Sequence, residues 1–193
     1  IIYSIILCLL AFFVLLNFNF LTVLLAIASM PFAFTYPLMK RYTYWPQLFL
    51  GFTFNYGLLL GWTAINESLS LIPIIFYFGA IFWTLGYDTI YGFQDIEDDE
   101  IIGVKSTSIK FKENPKIFLT LCYFLFFLLY IVTGYMLELN NYFFLTALIV
   151  LLHLYYFQIY KFNKINKMSC LNIFKSNNFL GFIIFINILI GKL

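Results

Sequence analysis

Apolar residues along the chain come in long blocks that short polar or charged segments separate. A helix needs about 20 apolar residues to cross the hydrocarbon core of a bilayer. Strand-type alternation of apolar and polar residues is missing, so the blocks predict helices, which satisfy their own backbone groups within the membrane. We place seven spans, the first of them cut short, at residues 1–16, 20–39, 47–66, 71–92, 117–137, 142–160 and 174–191.

Composition agrees with this pattern. Of the 193 residues, 63% are hydrophobic and only 10% are charged, whereas soluble domains carry about 25% charged residues. We therefore predict an all-α, polytopic transmembrane helical bundle in a lipid bilayer. A net charge of +2 gives no reason to expect nucleic acid as a partner. Cys8, Cys122 and Cys170 lack metal or disulfide spacing and are expected to be small buried residues.

Basic residues divide the loops into two kinds. Ten of the eleven Lys and Arg residues follow the second, fourth and sixth spans, and the loops between those have none. The positive-inside rule places the three basic loops in the cytoplasm or its equivalent. The start of the chain then lies on that same side of the membrane.

Acidic residues are concentrated in one place. Six of the nine lie between Asp88 and Glu100, directly after a strongly apolar segment. Asp88, Asp95 and Asp99 are spaced seven and four residues apart. If the fourth span continues as a helix, these intervals keep the three carboxylates on one face, where Gly92 leaves room.

This spacing is suited to a divalent cation. Asp95 and Asp99 would be about 5–6 Å apart at Cβ, and such carboxylates repel by about 3 kcal/mol at an effective dielectric of 20. Mg²⁺ removes that penalty and typically shares its ligand sphere with substrate phosphates. We interpret Asp95 and Asp99 as metal ligands of a Mg²⁺-diphosphate site. Asp88 lies deeper, where an ionisable group is costly and is expected to be functional.

The alternative is a solvated loop whose charges only end the helix. We favour that interpretation for the neighbouring acidic residues, which are Glu97, Asp98, Glu100 and Glu113.

Three segments of the sequence resemble those of a known family: residues 87–107, residues 36–47 and residues 174–181. Tyr87-Asp-Thr-Ile-Tyr91, Asp95-x-x-x-Asp99 and Gly103-Val-Lys-Ser-Thr107 together resemble the second aspartate-rich motif of the UbiA superfamily of intramembrane prenyltransferases. The branch that they resemble most is that of the 4-hydroxybenzoate polyprenyltransferases. Residues 36–47 are similar to the family's Y-x-x-x-K loop with the Pro-Gln that opens the next helix, and residues 174–181 to the start of its last helix.

The resemblance covers essentially the whole chain and implies a single transmembrane domain over residues 1–193. About seven helices of a nine-helix UbiA-like fold would be present. The family's first motif, N-D-x-x-D-x-x-x-D, is missing from this sequence. We therefore expect an N-terminally truncated domain without its first two helices, and expect the truncated chain to be inactive alone.

The implied reaction is Mg²⁺-dependent aromatic prenyl transfer. A polyprenyl group would move from polyprenyl diphosphate to the ring carbon ortho to the hydroxyl of 4-hydroxybenzoate, in ubiquinone biosynthesis. Homogentisate, naphthoate and haem remain open as other acceptors within the superfamily. The implied location is a bacterial inner membrane, with the mitochondrial inner membrane as the alternative.

The resemblance also implies roles for single residues. Arg41 joins Asp88 as catalytic, and the diphosphate would be bound by Lys40, Arg41, Lys105 and Tyr36. Cations there can neutralise the charge of the leaving group, although positive-inside anchoring explains loop cations equally, and aromatic belts explain interfacial tyrosines. Asn55, inside the third span, either bonds neighbouring helices or contacts the aromatic substrate.

Two other classes of protein are open. A transporter with an acidic cation site predicts ionisable residues on several spans, and here only Asp88 and His153 qualify. We expect His153 to have a packing or hydrogen-bonding role. An intramembrane aspartyl protease would use the Tyr87-Asp88 pair, but the G-x-G-D segment that it needs is missing from the fifth span.

Overall fold

The computed structural model describes residues 2–193, with the side chain of residue 4 excepted, and this part of the chain consists of helices and connecting loops, without strands. The helices are α1 (Ile2–Leu15), α2 (Phe20–Thr35), α3 (Met39–Tyr42), α4 (Pro46–Phe54), α5 (Gly57–Asn66), α6 (Leu71–Gly92), α7 (Ile96–Ile102), α8 (Thr107–Lys110), α9 (Pro115–Met136), α10 (Asn141–His153) and α11 (Lys167–Lys192). A 3₁₀ turn, Tyr36–Leu38, joins α2 to α3, and a π-helical segment, Leu154–Tyr160, continues α10.

Six segments of this fold are long and apolar enough to cross a membrane: Phe20–Tyr42, Pro46–Asn66, Leu71–Gly92, Pro115–Met136, Asn141–Tyr160 and Lys167–Lys192. They confirm six of the seven predicted spans and the all-α, multi-pass class. The first predicted span is the helix α1, which has 14 residues. At 1.5 Å per residue it is about 21 Å long, shorter than a hydrocarbon core of about 30 Å.

Several predicted boundaries differ from the structure. The last helix begins at Lys167 rather than at residue 174, because the Asn166 side chain accepts the Ser169 backbone N–H at 2.9 Å and caps the earlier start. The third span is interrupted at Asn55 and Tyr56, between α4 and α5. Cys122 and Cys170 are buried as predicted, whereas Cys8 is exposed on α1.

Helices α6 and α9 form the centre of the bundle. Gly86 of α6 faces the Tyr123 ring so closely that a Cβ there would lie 2.6 Å from the ring. Trp83 stacks on Phe126 with ring centroids 5.4 Å apart. Since the small residue lets the two helices approach, α6 is held along much of its length, and the acidic segment follows directly from its end.

The two ends of the bundle differ in chemistry. The three basic loops meet at one end, which we call the lysine end: the Lys105 backbone N–H donates to Lys40 O, and Lys164 Nζ donates to Lys112 O. The opposite, asparagine end is tied by Asn19, which donates to Thr63 O, and by Asn140, which donates to Ile190 O. The predicted alternation of the loops is confirmed.

Candidate functional site

The acidic segment is not a continuation of α6. Helix α6 ends at Gly92, residues 93–95 break the helix, and α7 starts at Ile96. The break follows from Phe93, which is 2% exposed and packs edge-on against Phe162 at 5.4 Å. Burying that ring turns the chain, so the prediction that Asp88, Asp95 and Asp99 share one continuous helix face is wrong.

Asp95 and Asp99 nevertheless stay together. They lie one helical turn apart, because the Asp99 backbone N–H donates to Asp95 O at 2.8 Å. Asp95 is exposed, whereas Asp99 is only 8% exposed. One carboxylate therefore faces the surface of the lysine end, and the other faces the interior of the site.

Lys40 brings the predicted site residues together. Its Nζ donates to Asp99 Oδ2 at 3.3 Å, which forms an ion pair between α3 and α7. It is also close enough for its charge to act on Asp88, and Asp88 in turn interacts electrostatically with Tyr36. Residues from α3, α6, α7 and the 3₁₀ turn thus converge, although 59 positions separate Lys40 from Asp99.

Lys105 joins this group through the backbone. Its N–H donates to Lys40 O at 2.7 Å, and its Nζ donates to Tyr42 O at 3.3 Å. The ammonium also lies 5.6 Å from the centroid of the Tyr44 ring. Two predicted diphosphate-binding cations, Lys40 and Lys105, are therefore neighbours at the lysine end.

Two predicted site residues lie outside these contacts. Arg41 is exposed and forms no ion pair with any residue of the described chain. Asn55 Nδ2 donates to Gly51 O at 2.9 Å, to Thr84 Oγ1 at 2.8 Å and to Ala80 O at 3.3 Å. These bonds join α4 to α6 where the third span is interrupted, and of the two roles considered for Asn55 they favour helix–helix bonding.

A group of buried polar residues fixes the loop that carries Lys105. The Thr107 N–H donates to Gln47 Oε1 at 3.0 Å, the Thr89 and Thr107 hydroxyls lie 2.6 Å apart, and Ser108 Oγ donates to Thr89 O at 2.8 Å. All four residues are at most 4% exposed. We call Gln47, Thr89, Thr107 and Ser108 the polar lock, because it holds α8 against α4 and α6.

Sequence reasoning missed most of this lock. Gln47 and Thr107 lie in the segments that carry the family resemblance, but the sequence pattern predicts no role for them. The available signal was chemical: a carboxamide and three hydroxyls in so apolar a chain are costly to bury unless they bond one another. Gly92 was expected to leave room beside the carboxylates, and the structure fills that room with the Ser108 side chain.

The remaining acidic residues behave as solvated charges. Glu97 pairs with Lys167 at 2.9 Å and Glu100 pairs with Lys112 at 2.6 Å, all four being exposed. The hydrogen bond that Lys112 donates to Glu100 raises the pKa of Lys112 above its usual value. Exposed pairs of this kind contribute little to stability. His153 is buried against Phe157, with ring centroids 4.9 Å apart, as a packing role requires.

Comparison with known families gives this arrangement a class. The model of the UbiA prenyltransferase family matches residues 1–187. The chain therefore belongs to the UbiA prenyltransferase family, a membrane enzyme family. No solved structure matches it.

Individual relatives are more specific. The chain is 40% identical over 181 residues to the mitochondrial 4-hydroxybenzoate polyprenyltransferase of Drosophila melanogaster, which is 93% of this chain and 46% of the relative. It is 41% identical over 185 residues to the human protein of that name, covering 95% and 50%. It is also 40% identical over 183 residues to 4-hydroxybenzoate geranyltransferase 2 of Lithospermum erythrorhizon, covering 93% and 59%. The chain spans about half the length of the curated relatives it matches.

Proposed function

We propose that this chain carries part of the active site for transfer of a polyprenyl group from polyprenyl diphosphate to the ring carbon ortho to the hydroxyl of 4-hydroxybenzoate, in ubiquinone biosynthesis. The observation that carries the proposal is the convergence of Lys40, Asp99, Asp88 and Lys105 at one end of an apolar bundle. The relatives named for 4-hydroxybenzoate support that acceptor over homogentisate, naphthoate or haem.

The donor set is suited to Mg²⁺. Asp95 and Asp99 offer carboxylate oxygens one turn apart, and the described residues contain no group of three or more acidic, His or Cys ligands. Mg²⁺ is commonly held by one or two carboxylates, with waters and substrate phosphates completing its six ligands. A cation held by these two residues would bind phosphate oxygens and absorb charge on the leaving group.

The cationic side chains act on the diphosphate. When the allylic C–O bond breaks, the diphosphate departs with the electron pair, and Lys40 and Lys105 lie where they can neutralise it. Arg41 is exposed beside them and is free to turn toward the same anion. We retain Tyr36 as a hydrogen-bond donor to the phosphate, since it interacts electrostatically with Asp88 near Lys40.

Asp88 is proposed to act on the acceptor. It lies one turn before the end of α6, so it is deeper in the membrane than α7. It has no hydrogen bond to any residue that the structure describes, so its carboxylate is available. The ring carbon forms the new C–C bond and then releases its proton, and we assign the acceptance of that proton to Asp88. Asn55 can contact the aromatic ring only if it breaks its hydrogen bonds to Ala80 and Thr84 of α6.

The test is an assay in membranes. The full reading frame that encodes this chain is expressed in cells lacking their own 4-hydroxybenzoate prenyltransferase, and prenylated product is measured with and without Mg²⁺. We expect Mg²⁺-dependent product from 4-hydroxybenzoate. Faster prenylation of homogentisate or naphthoate would contradict 4-hydroxybenzoate as the acceptor. Product formation that is unchanged by chelators would contradict the proposed dependence on Mg²⁺.

A matched pair of variants tests the metal ligands. Asp95→Asn removes the exposed carboxylate immediately before α7, and Asp98→Asn removes an exposed carboxylate from the first turn of α7. We expect Asp95→Asn to reduce turnover about 100-fold, a size typical of losing one group that stabilises transition-state charge, and Asp98→Asn to leave it unchanged. Equal activity of the two variants would remove Asp95 from the site.

The membrane is also a proposal. The relatives in fly and human are named mitochondrial, which favours the mitochondrial inner membrane over the bacterial inner membrane. Fractionation of the source cells, with the protein detected by antibody, tests this directly.

A further inference from the structure

A second basic region lies apart from the Lys40–Asp99 group. It is a surface cavity of about 570 Å³ between the start of α9 and the connection from α10 to α11. Its walls are residues 113–117 and 160–165. None of the residues proposed for prenyl transfer lines it.

The cavity carries a positive charge that the protein does not balance. Three lysines and one carboxylate line it, Lys116, Lys161, Lys164 and Glu113, so its formal charge is three minus one, or +2. The ion pairs of the described chain involve Lys40, Lys112 and Lys167. The three cavity lysines therefore have no carboxylate partner there.

Neutral groups of the protein hold two of these lysines in place. Lys164 Nζ donates to Lys112 O at 2.8 Å, and Lys161 Nζ lies 4.5 Å from the centroid of the Phe157 ring. A lysine has three donors, so each ammonium keeps donors for a ligand. The two ammonium groups are held in place with donors to spare, which is what an anion site requires.

An apolar groove leads from the cavity along α9. It has a volume of about 450 Å³ and is lined by Lys116, Ile117, Thr120, Leu121 and Phe124, of which the first two also line the cavity. Ile117, Leu121 and Phe124 are exposed by 72%, 55% and 61%. From residue 117 to residue 124 the groove descends about 10 Å into the bilayer at 1.5 Å per residue.

We propose that this cavity and groove together bind one anionic phospholipid, with its phosphate at Lys116, Lys161 and Lys164 and one acyl chain along Ile117, Leu121 and Phe124. Basic pockets on the cytoplasmic or matrix side of transmembrane helices are suited to anionic head groups. A soluble anion would use the cavity but not the groove. Non-specific attraction between scattered lysines and an anionic membrane surface would need neither the cavity nor the groove. The continuity of the two features therefore selects a lipid.

The lysines are tested by lipid titration of the purified protein in neutral detergent. Binding of dioleoyl phosphatidylglycerol and dioleoyl phosphatidylcholine is measured by native mass spectrometry. We expect phosphatidylglycerol to bind more tightly, and the double variant Lys161→Gln/Lys164→Gln to weaken it about 30-fold, which corresponds to about 1 kcal/mol for each lysine. The matched control Lys175→Gln/Lys192→Gln removes the same charge elsewhere and should change the affinity less than about threefold.

The groove is tested separately with Leu121→Ala and its control Leu128→Ala, both exposed leucines of α9. We expect Leu121→Ala to weaken phosphatidylglycerol binding several-fold and to leave competition by glycerol phosphate unchanged. The proposal is overturned if both lipids bind equally, if the two lysine doubles behave alike, or if glycerol phosphate binds as tightly as the lipid. Because these readouts need no catalysis, failure here leaves the proposed prenyl transfer untouched.

Discussion

The asparagine end and the lysine end of the bundle differ in how their helix termini and loops obtain hydrogen-bond partners. At both ends, helix termini and loops in a greasy chain need hydrogen-bond partners. At the asparagine end, Asn140 accepts two amide N–H groups and donates to Ile190 O, so its side chain forms three of the four hydrogen bonds available to it. At the lysine end, buried neutral groups hold the loops, while Asp88, Asp95 and Arg41 keep unused bonding capacity. The difference between the ends is the ion pair: Lys40 and Asp99 bring charged side chains from distant segments together at the lysine end, whereas Glu138 at the asparagine end has no ion pair within the described chain.

The largest expected effect comes from Asp99→Asn. The variant keeps the shape of the side chain but removes the charge that faces Lys40, so we expect turnover to fall about 100-fold while the protein still inserts and folds. The control is Glu138→Gln at the asparagine end, which should keep full turnover. Equal losses would mean that the two ends do not differ in function. Prenyl transfer in membranes, normalised to folded protein, is the measurement.

A second comparison sets Gln47→Ala against Asn140→Ala. Each removes a partner from backbone N–H groups, at a cost of about 1–3 kcal/mol in stability. We expect both variants to unfold at lower temperature, but only Gln47→Ala to lower turnover, about tenfold, because Thr107 and the Lys105 loop lose their anchor. If turnover per folded molecule falls equally in Asn140→Ala, the polar lock has no special bearing on the site.

Gly92→Ala should have a smaller effect that a second change can reverse. A methyl group at Gly92 would overlap Ser108 Oγ, and such overpacking costs about 1–3 kcal/mol. Ser108→Ala removes the overlapping oxygen, so the double variant should recover part of the lost stability and activity. Thermal unfolding of the three variants gives the coupling energy, and a coupling of zero would contradict the close approach of α6 and α8.

The smallest effect is expected from Glu97→Gln. This carboxylate pairs with Lys167 at the lysine end, but both side chains are exposed, by 73% and 52%. Water screens such a pair, so neither the unfolding temperature nor turnover should change. A clear loss of activity would show that the proposed site also uses the face of α7 that carries Glu97.

The sequence was sufficient for what depends on long patterns. Six of its spans and the grouping of the basic loops follow from hydropathy and charge, which act over 20 residues at a time. The break at Phe93 depends on one aromatic ring finding a partner at Phe162 in a distant loop, and no local pattern encodes that. The lock at Gln47 and Thr107 is missed for the same reason, since 60 positions separate its two partners.

The residues predicted for the site are brought together only in part. The structure does bring together Lys40, Lys105, Asp88 and Asp99. Their arrangement depends on the ion pair between α3 and α7, not on a shared helix face. The binding of Mg²⁺ and the role of Arg41 stay predictions, because they concern ligands and activity.

The bond from the Lys105 N–H to Lys40 O has a consequence for evolution. It joins two main chains, so it uses no side-chain atom, and proline at 105 would remove its N–H donor. Mutations can therefore exchange one cation for another, or for a neutral group, without changing how the two segments are aligned. A lineage under new selection could alter the charges at the lysine end while inheriting the same spacing between the two segments.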